Sequence, residues 1–174
     1  MITIISGTNR KNANSYKIAS QYKEILKSKG TDSTIIDLET LPADFIATAL
    51  YENTGKNEHF KPTMDLMKQS EKFVFIVPEY NGSFPGILKL FIDALEFPST
   101  LKNKKCALVG LSSGVQGSVL AMSHLTDIFN YLGMHVLAQK PKLSGISERM
   151  DNGEVTDELG VQLLTEQAEA LINF

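Results

Sequence analysis

Phe73-Val74-Phe75-Ile76-Val77 is apolar at every position and breaks at once into Pro78-Glu79-Tyr80-Asn81-Gly82-Ser83. A strand with one wet face alternates apolar and polar residues, whereas one covered on both faces does not. This run therefore belongs inside a parallel sheet, and the polar turn after it sits at the sheet's carboxyl edge. Cys106 to Leu111 is a second unbroken apolar run, followed by the turn Ser112 to Gly117. Ile2 to Ile5 is a shorter one, ended by Gly7. Thr34 to Leu38 and Met134 to Leu137 complete five expected strands.

Helical spacing fills the intervals. Tyr16 to Lys29 puts Ile18, Ala19, Tyr22, Ile25 and Leu26 on one face, with Asn14 or Ser15 as its expected cap and Gly30 as its stop. Further helices are expected over Pro62 to Ser70, Pro85 to Phe97, Val119 to Leu132 and Glu158 to Ile172. Glu39 to Phe60 has no clear period. Strands alternating with helices imply right-handed crossovers and one parallel sheet with helices on both faces. The fold class is thus α/β, a three-layer sandwich on a five-stranded parallel sheet, in one domain over residues 1–174.

Composition removes several functions. The chain carries 17 Lys+Arg against 20 Asp+Glu, a net charge of -3. Nucleic-acid binding needs concentrated positive charge, so no such partner is expected. The 43% hydrophobic and 21% charged content argues against disorder and coiled coils. Cys106 has no second cysteine for a disulfide or a cysteine-paired zinc site. The opening Met1-Ile-Thr-Ile-Ile runs into polar residues instead of a longer apolar leader. No apolar run approaches the roughly 20 residues that cross a bilayer. A cytoplasmic location and no membrane partner are expected, so the sequon Asn81-Gly82-Ser83 carries no weight.

In an open α/β sheet, ligands bind past the carboxyl ends of the strands, near the switch in strand order. With strand order 2-1-3-4-5, three turns of unusual composition meet there: Ser6 to Ser15, Pro78 to Ser83, and Ser112 to Gly117. The first suits a phosphate. Thr8, Asn9, Asn12, Asn14 and Ser15 supply donors, Arg10 a cationic fork, and the following helix start favours an anion. A P-loop would need Gly-Lys-Ser/Thr where Asn12-Ala13-Asn14 stands, and a dinucleotide fingerprint would need Gly at positions 9 and 12, both Asn. The turn reads as a cradle for a terminal phosphate held by side chains, as in a mononucleotide. The bland alternative is a polar turn that caps the helix.

The second turn continues as Phe84-Pro85-Gly86-Ile87-Leu88-Lys89 and reaches Asp93. This resembles the Pro-Glu-Tyr-Asn…Pro-Gly-x-Leu-Lys…Asp motif of the NADPH-dependent FMN reductases, a flavodoxin-like family. Gly7-Thr8-Asn9-Arg10 resembles that family's first loop, with Ala13 where a second Ser is usual, and Ser112-Ser113-Gly114 with Gly117 resembles its third. The resemblance implies a flavodoxin-like sandwich that binds FMN. Thr8, Arg10, Asn14 and Ser15 would hold the phosphate. Pro78, Glu79, Tyr80, Asn81 and Gly82 would edge the isoalloxazine ring, Glu79 through its backbone more than its carboxylate. Ser112, Ser113 and Gly114 would line the ring's other side. It further implies NADPH or NADH as co-substrate and a small-molecule acceptor such as a flavin, quinone or azo dye. The flavin carries the chemistry, so neither a protein nucleophile nor a metal is required.

Other residues suggest chemistry but have plainer readings. His59, His124 and His135 lack ligand-like spacing, Cys106 lies in a buried-strand pattern, and Lys89 and Asp93 are four apart on a helix and suited to pair. The rival function is a flavodoxin-type electron carrier with no nicotinamide oxidation of its own, but such carriers tend to be strongly acidic. The helix after the second turn has one core stripe, Leu88, Phe91, Ile92 and Leu95, and a second stripe, Leu90, Ala94 and Phe97. An outer helix needs one apolar face. The second stripe, with the resemblance, points to a homodimer or a dimer of dimers, unless it packs under Glu39 to Phe60.

Overall fold

In the computed structural model, which describes residues 1–174, the main strands are β1 (Ile2–Ser6), β2 (Ser33–Asp37), β3 (Lys72–Pro78), β4 (Lys105–Leu111), β5 (His135–Val136) and β6 (Lys142–Leu143). The helices are α1 (Asn14–Ser28), α2 (Phe45–Thr48), α3 (Lys61–Gln69), α4 (Gly86–Asp93), α5 (Val119–Tyr131), α6 (Ile146–Arg149) and α7 (Glu158–Asn173). The sheet order is β2-β1-β3-β4-β5, every pairing parallel, as expected.

Both apolar runs are covered on both faces, and the two-residue period sorts their side chains. Phe73, Phe75 and Val77 of β3 meet Met64 and Met67 of α3, Leu88 and Phe91 of α4, and Leu125 and Phe129 of α5. Val74 and Ile76 meet Ile18, Tyr22 and Leu26 of α1 and Leu164, Ala168 and Leu171 of α7. Truncating one such phenylalanine to alanine costs about 3–5 kcal/mol, so these two clusters hold the loops in place.

The sheet departs from five plain strands at its edge. β5 pairs with Lys105 and Cys106, and β6 with Gly110 and Leu111, so two short strands share the fifth position. Gln167 of α7, fully buried, serves the gap between them. Its amide donates to Leu108 O (2.9 Å) and Gln139 O (2.8 Å), and its Oε1 accepts from the Tyr22 hydroxyl (3.2 Å). At the other end of the sheet, Lys72 Nζ donates to the carbonyls of Leu171 (3.1 Å) and Ile172 (2.7 Å), and Lys105 Nζ to that of Phe174.

Three local expectations change. α1 starts without a side-chain cap, because its N-cap is Ala13, whose methyl group accepts nothing; Asn14 and Ser15 lie inside the helix, where the Ser15 hydroxyl pairs with that of Ser6 (3.1 Å). α4 ends at Asp93, not Phe97; Phe97 itself precedes Pro98, and such a residue avoids helical angles. In the second stripe of that helix, Ala94 is fully buried and Leu90 packs on the core, which leaves only Phe97 exposed. Residues 39–60 hold short turns and α2; their Phe45, Leu50 and Phe60 join the core, and Phe60 meets Phe91 edge-on at 6.0 Å. A hairpin absent from the sequence reading, β7 (Met150–Asp151) with β8 (Glu154–Val155), is clamped to α1 by Gln21, which bonds both Val155 N and O at 2.9 Å.

Candidate functional site

The carboxyl ends of β1, β3 and β4 open on a cleft of about 450 Å³. Thr8, Arg10, Asn14 and Ser15 line it from the first loop, Pro78, Glu79 and Tyr80 from the second, and Ser112 and Ser113 from the third. Asn81, Gly82 and Gly114 lie outside that lining. Lys11, Asn12, Ala13 and Leu111 also line it, and Ile146 and Ser147 close it from α6. The α6 residues carry no local signal of their own. They arrive because β6 pairs with the end of β4, and Gly145 N and Ile146 N then bond Gly114 O and Ser112 O at 3.0 Å.

The first loop presents donors and positive charge. Gly7 N bonds Ile76 O at 2.9 Å, and a Cβ at Gly7 would lie 2.6 Å from that same oxygen, so glycine lets the loop leave hard against β3. Thr8 Oγ1 accepts from Arg10 N (3.3 Å) and lies 3.0 Å from the Tyr80 hydroxyl, which ties the first loop to the second. α1 has no side-chain cap and no acidic residue in its first turn. Its unsatisfied N–H groups, with Arg10 and Lys11 beside them, are suited to an anion.

The second loop is a two-residue hairpin. Tyr80 N bonds Ser83 O (2.8 Å), and Ser83 N bonds Tyr80 O (3.0 Å). Asn81 (φ +51°) and Gly82 (φ +74°) both take left-handed angles, the preferred chemistry of this tight turn. Tyr80 and Ser83 spend their amide groups on each other, so the free peptide groups of the turn are those of the Asn81-Gly82 tip. Ser83 Oγ lies 3.0 Å from His124 Nδ1 on α5.

The third loop folds back over β4. A Cβ at Gly110 would lie 2.3 Å from Gly117 O, so only glycine admits that approach. Ser112 Oγ donates to Gly114 O (2.7 Å) and accepts from Gly117 N (2.8 Å). Glu79 N donates to Leu111 O (2.9 Å). The Glu79 carboxylate is engaged as well: its Oε2 accepts from Ser118 N at 3.0 Å. Glu79 thus engages through its carboxylate as well as through its backbone.

Away from the cleft, Lys89 pairs with Asp93 at 2.7 Å. Cys106 is buried, and burial pushes its thiol up to about 12. His59, His124 and His135 are exposed and widely separated in sequence, and no group of three or more His, Cys, Asp or Glu is arranged to hold a metal.

The donor set fits a flavin mononucleotide: an open, cationic helix start for the phosphate, and a wall of Pro78, Tyr80, Leu111 and Ile146 for the ring. Comparison with known proteins agrees. The family described as NADPH-dependent FMN reductase matches residues 1–145. An NAD(P)H-dependent FMN reductase of Pseudomonas aeruginosa is 28% identical over 96% of this chain and 90% of its own. A quinone reductase of Escherichia coli is 34% identical over 72% of both. A flavoenzyme NAD(P)H:(acceptor) oxidoreductase of Paracoccus denitrificans superimposes with a TM-score of 0.78 at 24% identity, covering 99% of this chain and 94% of that one, a likeness of fold.

Proposed function

The chain belongs to the NADPH-dependent FMN reductase family, and from that membership we propose an FMN-dependent oxidoreductase that moves hydride from NAD(P)H to a small-molecule acceptor. One observation carries the reading: three loops close on a single cleft whose phosphate end is an uncapped helix start with free cations. When bound, FMN supplies two-electron chemistry at N5, between the nicotinamide and the acceptor. The protein positions. In this reading Thr8, Arg10, Asn14 and Ser15 hold the phosphate. Pro78, Glu79, Tyr80 and the Asn81-Gly82 tip follow the ring edge, and Ser112, Ser113 and Gly114 back its far side. The acceptors are quinones, free flavin or azo compounds.

The test is steady-state NADPH oxidation by FMN-loaded protein with a quinone acceptor. Turnover that depends on both FMN and quinone supports an enzyme. A yellow protein that binds FMN and leaves NADPH unoxidised is the electron carrier instead. The modest charge of -3 supports the enzyme, because carriers rely on strong acidity to dock on basic partners.

The working unit in this reading is a homodimer, or a dimer of dimers, in the cytoplasm. Phe97 (69% exposed) and Tyr131 (81% exposed) stand beside an apolar recess lined by Ile92, Leu95, Leu101, Ile128 and Leu132. Large apolar side chains beside such a recess suit a self-complementary two-fold contact. The single cysteine, unpaired and buried, suits a reducing compartment.

A further inference from the structure

Glu79 is the only acidic side chain that lines the cleft. A carboxylate beside a phosphate site repels the ligand unless something holds its charge. What holds it is α5. Ser118, the residue before that helix, is fully buried with a left-handed φ of +65°. Its own hydroxyl caps nothing and has no hydrogen-bond partner. The cap comes from the neighbouring loop instead: Glu79 Oε2 accepts from Ser118 N at 3.0 Å, across 39 positions of sequence. A carboxylate there also faces the positive end of the helix dipole.

We propose that Glu79 is a positioning residue: its carboxylate caps α5 from outside and so locks the third loop against the second, fixing the slot between them. Two consequences follow from the geometry. The third loop is anchored at both ends, by Glu79 at Ser118 and by the Gly145 and Ile146 amides at Gly114 and Ser112. The α5 start already faces a protein carboxylate, whereas the uncapped start of α1 faces none. The link to flavin rests on the FMN reading above, whereas the brace itself does not.

Amide exchange on the flavin-free protein tests the brace first. In Glu79→Ala, exchange at Ser118 and through residues 113–118 should quicken about tenfold or more, the worth of one charge-assisted hydrogen bond, while β1 and β3 keep their protection. Glu79→Gln, whose amide oxygen still reaches Ser118 N but without the charge, should retain most of the wild-type protection. Glu79→Asp, which keeps the charge but is one methylene shorter, should lose it. FMN titration by fluorescence should follow the same order, with Gln near wild type and Asp and Ala weaker by about tenfold. Wild-type exchange at Ser118 in the Ala or Asp variant overturns the brace. Should Ala fail to fold, a protected Asp variant with an unprotected Gln variant overturns it equally, since charge and not reach would then matter. A wild type that binds no FMN sinks the flavin reading and leaves the exchange result standing.

Discussion

Arg10 is exposed, and its guanidinium makes no hydrogen bond or ion pair within the chain; only its backbone N–H is engaged, at Thr8. Its charge is therefore available to a ligand, and its removal costs the fold nothing visible. Arg10→Ala should weaken FMN binding by about tenfold or more with an unchanged melting temperature, because one charge-assisted contact is worth about 1.5–3 kcal/mol. An unchanged dissociation constant in a fluorescence titration removes Arg10 from the phosphate site. Cys106 illustrates the opposite environment. Burial holds its thiol neutral up to about 12, against an ordinary value near 9. Between those two values the unfolded chain releases a proton that the folded chain keeps. Stability is whole below pH 9 and falls above it by up to about 1.4 kcal/mol per pH unit from this group. Denaturant titrations should show that alkaline slope shrink in Cys106→Ala; an equal slope in both proteins would mean that other groups produce it. Composition made most cleft residues legible at this scale, since Asn, Ser, Thr and Arg crowd three turns after buried strands. The role of the Glu79 side chain was not legible, because its partner lies 39 positions away and is a backbone N–H, which has no sequence signature. Ile146 and Ser147 were hidden for a similar reason: β6 carries them in, and a two-residue strand has no period to read.

Among the elements, the long strands and helices were readable because each repeats its period several times over. Phe73 to Val77 and Cys106 to Leu111 announce two covered faces, and the α1 stripe is buried except for the half-buried Ile25. Pieces of two to four residues, such as β5, β6, β7, β8 and α2, were beyond reach, and all of residues 39–60 consists of such pieces and turns. The hairpin after β3 carries the sharpest element-scale expectation. No protein atom lies within 4 Å of a Cβ built on Gly82, so a side chain there meets open space. The obstacle is the backbone, whose φ of +74° suits glycine. A β-branched residue held at that angle costs about 1–3 kcal/mol, and the turn relaxes instead. Gly82→Val should therefore purify with less flavin and bind FMN more weakly, while far-ultraviolet circular dichroism stays as wild type. Full flavin content with wild-type turnover would place the ring edge elsewhere.

For the whole molecule, the layering was legible in the alternation of strands and helices, which does not by itself fix the strand order, and the outer surface was not legible. The second α4 stripe proved mostly internal, with Ala94 buried and Leu90 packed on the core, so the proposed self-association face would rest on Phe97 and Tyr131. Phe97→Glu with Tyr131→Glu should leave the fold intact, since both side chains are exposed, and turn a dimer into a monomer by light scattering. A monomeric wild type ends the dimer; a variant that still pairs moves the contact to another face. The shared fifth position of the sheet bears on how this protein perishes. The middle of β4 is served there by Gln167 of α7, a side chain and not a strand. When α7 lifts, Leu108 O loses its donor and that length of the sheet becomes a template for a strand from another molecule. Lys72 grips the last carbonyls of α7 and so opposes that lifting. Lys72→Met should shorten the lag before turbidity on warming, with amyloid-dye binding and unaltered FMN affinity. A lag equal to wild type would mean that the damage begins elsewhere. A shortened lag would set shelf life and heat tolerance at the end of the sheet opposite the cleft, where selection for catalysis has no direct hold.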